Sequence, residues 1–78
     1  MLEEIKNLLV SELNIEHPED VTMEASLGND LGINSLELAD LVLLCEEKFD
    51  IEIEDEDLRE LITVGDVVNY LEEKLGRK

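Results

Sequence analysis

The chain has 78 residues, with 22 Asp and Glu against 6 Lys and Arg, for a formal net charge of −16. That length builds one small domain over residues 1–78. That charge repels phosphate backbones and anionic headgroups, which excludes nucleic acid and membrane insertion and favours basic patches on other proteins. Disorder is excluded because apolar residues make up 44% of the chain and recur at regular spacings.

The single cysteine, Cys45, cannot close an intramolecular disulfide. The longest apolar run, residues 41–45, is too short to span a bilayer. The first ten residues, with Glu3, Glu4 and Lys6, lack the pattern of a secretion signal. A cytoplasmic monomer is expected.

In chain order, residues 2–13 place Leu2, Ile5, Leu9 and Leu13 at helical spacing. Residues 14–33 read as a long connection holding the only proline, Pro18, and two of the four glycines, Gly28 and Gly32. A connection that long is uncommon without anchors, so Val21, Leu27 and Leu31 are expected to pin it to the core. The second helix starts at Asn34, where Asn34 and Glu37 form a capping-box-like pair, and runs to Phe49. Its core stripe is Leu38, Leu41, Val42, Cys45 and Phe49. Leu36, Ala39 and Leu43 form a second stripe on another face, bordered by Asp40, Glu46 and Glu47. One stripe packs a helix in a small bundle, so the second is expected to face a partner.

Residues 50–54 alternate polar and apolar, but nothing else in the chain is strand-like, so they read as a linker. Residues 55–61 make at most a short helix, with acids at its favourable N-terminal end. The last helix starts near Thr63, with Asp66 as cap partner, and carries Val64, Val67, Val68, Leu71 and Leu75. Gly76 ends it, with nothing of low complexity beyond Gly76-Arg77-Lys78. The expected fold is all-α: a small bundle of three main helices and one short helix, with a long first loop.

With Asn34 as the cap, Ser35 takes the first helical position and its hydroxyl is not needed for capping. Unpaired N–H groups and the helix dipole there favour an attached anion. Local sequence leaves two readings open, an attachment point for a phosphate ester or an ordinary polar residue beside a cap.

Residues 27–56 read LGNDLGINSLELADLVLLCEEKFDIEIEDE. This resembles the acyl carrier protein family, in which a D-L-G-x-D-S-L segment opens an acidic helix ending in E-E-x-F. Asp30-Leu31-Gly32, Ser35-Leu36, Glu46, Glu47, Phe49 and Ile51-Glu52-Ile53 match, and Thr63-Val64 and Tyr70-Leu71 continue the match. The resemblance implies a 4′-phosphopantetheine arm on Ser35, transferred from coenzyme A by a Mg²⁺-dependent phosphopantetheinyl transferase. It also implies cargo held as a thioester, and a recognition helix in which Leu36, Ala39 and Leu43, ringed by Glu37, Asp40, Glu46 and Glu47, dock on basic patches. Such partners are acyl-transferring and ketosynthase-type enzymes of fatty-acid or polyketide-type biosynthesis. The family usually has Asp immediately before the serine, and this chain has Asn34. Both residues cap helices well, but one negative charge is lost beside the modified residue.

Other chemistry fares worse. Cys45 lies in the core stripe, and His17 is a lone loop imidazole with no second histidine to build a metal site. An EF-hand loop begun at Asp30 or Asp50 would put Ser35 or Asp55 where glycine is required, and Leu41 or Leu61 where glutamate is required. No nucleophile and base assemble, so an enzyme is not expected; the resemblance implies a carrier, and no specific metal is expected. Two alternatives remain: an acidic interaction module that never receives the arm, and a carrier of aminoacyl or peptidyl groups.

Overall fold

The structure is a computed structural model and describes residues 1–76; the end of the chain at Arg77 and Lys78 lies outside the described residues. Three α-helices form the frame: α1 (Leu2–Glu12), α2 (Ser35–Phe49) and α3 (Val64–Leu75). Two short 3₁₀ segments, Pro18–Asp20 and Asp55–Glu60, lie in the connections. The second of these is the expected short helix, wound more tightly than an α-helix. The first falls in the connection that the sequence reads as irregular.

α2 and α3 begin and end on local chemistry. Asn34 and Glu37 close a full capping box on α2, and Thr63 and Asp66 close another on α3. Asp50 (φ 53°) and Gly76 (φ 71°) end α2 and α3 in the left-handed conformation. In α1, the stripe buries Ile5 and Leu9 completely. α1 packs against both α2 and α3. The centre of the core is Ile5, Leu9, Leu41, Cys45, Val64 and Leu71, each less than 2% exposed. Full burial of an aliphatic side chain is worth about 1.5–3 kcal/mol, so the five aliphatic residues among these contribute strongly to what the small bundle gains on folding. Leu38 and Phe49, expected in the core stripe of α2, are only partly buried at its margin.

The long first connection is tightly organised. Val21 and Leu27 are buried as expected, but Leu31 is only partly so, and the pinning is completed by Ala25 and Ile33. Backbone pairing explains this choice. Leu27 donates its N–H to the Ile62 carbonyl, Val64 donates to Ala25, and Gly65 donates to Met23, each at 2.9 Å. This short ladder includes an antiparallel bridge between Ser26 and Thr63. A tight turn follows, in which the Asp30 carboxylate accepts the Ser26 N–H at 2.8 Å, and Gly32 (φ 68°) reverses the chain.

Side chains add to the backbone bonds of the second 3₁₀ segment. Leu58 packs against the core, and the Tyr70 hydroxyl donates to Asp57 at 2.5 Å. Burial first, and Asp57 second, push the Tyr70 phenol up to about 12.

Candidate functional site

Ser35 occupies the first position of α2 and is exposed. Its placement follows from a backbone relay. The Ile33 N–H donates to the Leu27 carbonyl at 2.8 Å, and the Leu27 N–H donates to Ile62 at the foot of α3. The residue two before the serine is therefore tied to the core, with Ile33 buried. The Asn34 side-chain oxygen then accepts the Glu37 N–H at 2.9 Å, and Glu37 Oε1 accepts the Asn34 N–H at 3.1 Å.

The first four amides of any α-helix lack intrahelical acceptors or share a cap. In α2, the Glu37 N–H goes to the Asn34 side chain and the Leu38 N–H to the Asn34 carbonyl. The N–H groups of Ser35 and Leu36 have no protein acceptor among the described residues, and the Ser35 hydroxyl makes no hydrogen bond there either. An exposed hydroxyl beside two open amides, at the positive end of a fifteen-residue helix, suits a phosphate ester on both geometric and electrostatic grounds.

Down the same helix, Leu36 is 78% and Leu43 56% exposed, and Ala39 lies exposed between them. The four acids expected to ring them fall into two kinds. Asp40 and Glu47 are exposed. Glu37 and Glu46 are partly buried and already bonded to backbone, Glu37 in the capping box and Glu46 through the Ile53 N–H at 2.8 Å. Two of the four expected partner-facing acids, Glu37 and Glu46, thus also fasten the ends of α2. Sequence reading missed Ile62, an aliphatic residue 62% exposed just before α3. The available signal was its pairing with Leu61, which alone supplies the buried side chain there.

The remaining candidates stay out of the site. Cys45 is buried, and desolvation pushes its thiol up to about 11, so little of it is thiolate near neutral pH. His17 is exposed and lies 3.3 Å from the Glu19 carboxylate. Among the described residues no group of three or more His, Cys, Asp or Glu could hold a metal ion, and no helix is long and apolar enough to cross a membrane.

A hydroxyl free of internal duties on a helix start, followed by an exposed acidic and aliphatic helix face, is an arrangement suited to bearing a covalently attached group. The phosphopantetheine attachment site family matches residues 3–71, and the chain belongs to that family. Its relatives are acyl carrier proteins. One from Wolinella succinogenes is 46% identical over 72 residues, covering 92% of this chain and 93% of the relative. Another from Campylobacter curvus is 42% identical over 77 residues, covering 99% and 97%. The crystal structure of an acyl carrier protein from Thermotoga maritima superposes with a TM-score of 0.82 at 25% identity, covering 95% of this chain and 85% of that one.

Proposed function

We propose that this protein is an acyl carrier that bears 4′-phosphopantetheine on Ser35 and presents acyl groups to partner enzymes of fatty-acid or polyketide-type biosynthesis in the cytoplasm. The observation that carries the assignment of the site is the exposed Ser35 hydroxyl beside the two open amides of Ser35 and Leu36. In the loading reaction a bond forms between Ser35 Oγ and the pantetheine phosphorus of coenzyme A. The phosphoanhydride bond breaks, 3′,5′-ADP leaves, and the hydroxyl proton passes to the transferase. Once attached, the arm's thiol carries acyl groups as thioesters.

The chain's own residues do the rest. Asn34 and Glu37 fix the turn that displays Ser35, and the open amides stabilise the negative phosphate. The face of Leu36, Ala39 and Leu43, with Asp40 and Glu47 beside it, addresses the loaded protein to basic patches. Catalysis belongs to the partners; this protein is a carrier without catalytic activity of its own.

The test is direct. Incubation with coenzyme A, Mg²⁺ and a promiscuous phosphopantetheinyl transferase should add one phosphopantetheine unit to the intact mass, and Ser35→Ala should abolish the gain without lowering the melting temperature. A mass gain that survives in Ser35→Ala would place the attachment elsewhere.

A further inference from the structure

The first connection and the start of α2 border an open groove of about 250 Å³. Ile33 and Glu37, two residues before and two residues after Ser35, both line it, so it adjoins the attachment point. Leu13, Ile15 and Leu31 supply the rest of its apolar lining, and all three are only half-buried although they pack against the core. That apolar surface stays in water, and covering it would be favourable. The charged lining is acidic apart from His17, with no lysine or arginine. Within it, the carboxylates of Glu37 and Asp30 each use one oxygen on a backbone N–H, that of Asn34 and that of Ser26. A carboxylate accepts through both oxygens, so each has capacity for another donor. An apolar floor rimmed by acceptors suits a neutral segment that carries methyl groups and hydrogen-bond donors, and it repels a phosphate.

We propose that this groove is the berth of the arm's root, the pantoyl unit that follows the phosphate. With the phosphate on the open amides of Ser35 and Leu36, the pantoyl unit is the next part of the arm. It is neutral and carries two geminal methyl groups, a hydroxyl and an amide N–H. The methyl groups cover Ile15, Leu31 and Ile33, while the hydroxyl and the N–H donate to the Glu37 and Asp30 carboxylates. The tether selects this occupant over a free ligand, because a group fixed at Ser35 is present at an effective concentration on the order of millimolar. The groove is smaller than pockets that enclose a drug-sized ligand, about 300–1,000 Å³, so it takes the root alone. The far end of the arm, with its thiol, stays in solvent for partner enzymes. The inference rests on the carrier reading of Ser35 and adds where the arm lies between encounters.

The experiment uses the full chain with isotope-labelled methyl groups, loaded by a transferase and checked by intact mass for one phosphopantetheine unit. In nuclear Overhauser spectra, the geminal methyl protons of the arm should give cross-peaks to the methyl groups of Ile15 and Leu31. Loading should shift those two sets of resonances and leave those of Leu43 and Leu58 in place. Ile15→Thr keeps the branched shape but removes part of the apolar wall, so the cross-peaks to Leu31 should weaken while Ser35 still loads. Cross-peaks confined to Leu36 or Ile62, or none in a fully loaded parent, would overturn the berth and leave the carrier assignment standing. Cross-peaks to Leu31 of undiminished strength in Ile15→Thr would also count against it. The parent spectra decide the matter by themselves if that variant does not fold. A parent chain that never gains the mass strikes the carrier reading, and the berth with it.

Discussion

α2 and α3 begin with the same device, a capping box of Asn34 with Glu37 in one and Thr63 with Asp66 in the other, yet their first turns have opposite fates. At α3 all four leading amides are taken: Val64 by the Ala25 carbonyl, Gly65 by Met23, Asp66 by the Thr63 hydroxyl and Val67 by the Thr63 carbonyl. Val64 is fully buried there. At α2 the first two amides are left open, and Ser35 and Leu36 point to solvent. A helix N-terminus thus becomes a joint when a neighbouring strand of backbone consumes its donors, and a site when nothing does. The capping box makes either outcome stable, being worth about 1 kcal/mol through its N-cap side chain.

The comparison breaks most visibly at Gly65. A Cβ there would lie 2.8 Å from the Met23 carbonyl oxygen, a backbone atom that cannot swing away. Gly65→Ala should therefore cost about 1–3 kcal/mol in urea unfolding, as overpacking does in well-filled interiors. Gly28→Ala, whose nearest contact would be 3.8 Å, should stay within about 0.5 kcal/mol. Equal effects would mean that the loop does not clamp α3.

A smaller effect is read by pH at the box of α3. The Asp66 carboxyl is held below its usual value, chiefly by the Thr63 N–H with help from Ile62, against a partial opposing effect of burial. A depressed folded pKa gives stability that is fully present above the unfolded value of 3.8 and is lost as pH falls through the folded one. Asp66→Asn keeps an acceptor oxygen but no charge. The stability gap between parent and variant should thus be constant near pH 6 and should close below about pH 4, measured by chemical unfolding at each pH. A gap that widens on acidification would contradict the hydrogen-bond assignment.

Both boxes were legible in the sequence, because a cap and its partner sit three residues apart and need only local geometry. The helical stripes were legible for the same reason, as was the free hydroxyl of Ser35. What was not legible is the joint itself. Residues 23–27 and 62–65 meet through backbone groups across a long sequence separation, and backbone pairing leaves no residue-type signature when it lasts only a few bonds. The same blindness hid the duty of Glu46: its spacing puts it on the acidic border of the exposed stripe, but its partner is an amide seven residues on, beyond the helix end. The expected anchor Leu31 is only partly buried, and Ile33 is buried instead, for a related reason. The turn closed by Ser26 and Asp30 decides which side chain faces inward, and that turn depends on side-chain bonds no periodicity records.

The finest distinction between the two helix starts concerns position 34. Asn and Asp cap nearly equally, so Asn34→Asp should move stability by only a few tenths of a kcal/mol. The added carboxylate would sit at the positive end of α2, beside the same open amides of Ser35 and Leu36 that favour an ester phosphate on Ser35. With Ser35 unmodified the extra charge is welcome, and the melting temperature should rise slightly. With the arm attached two anions, one on the Glu37 amide and one on the open amides, would repel at the same helix end, and the gain should vanish or reverse. Calorimetry on both forms of parent and variant measures that difference of differences. A gain of equal size in both forms would show that the open amides do not hold the phosphate, and would remove the physical contrast between α2 and α3.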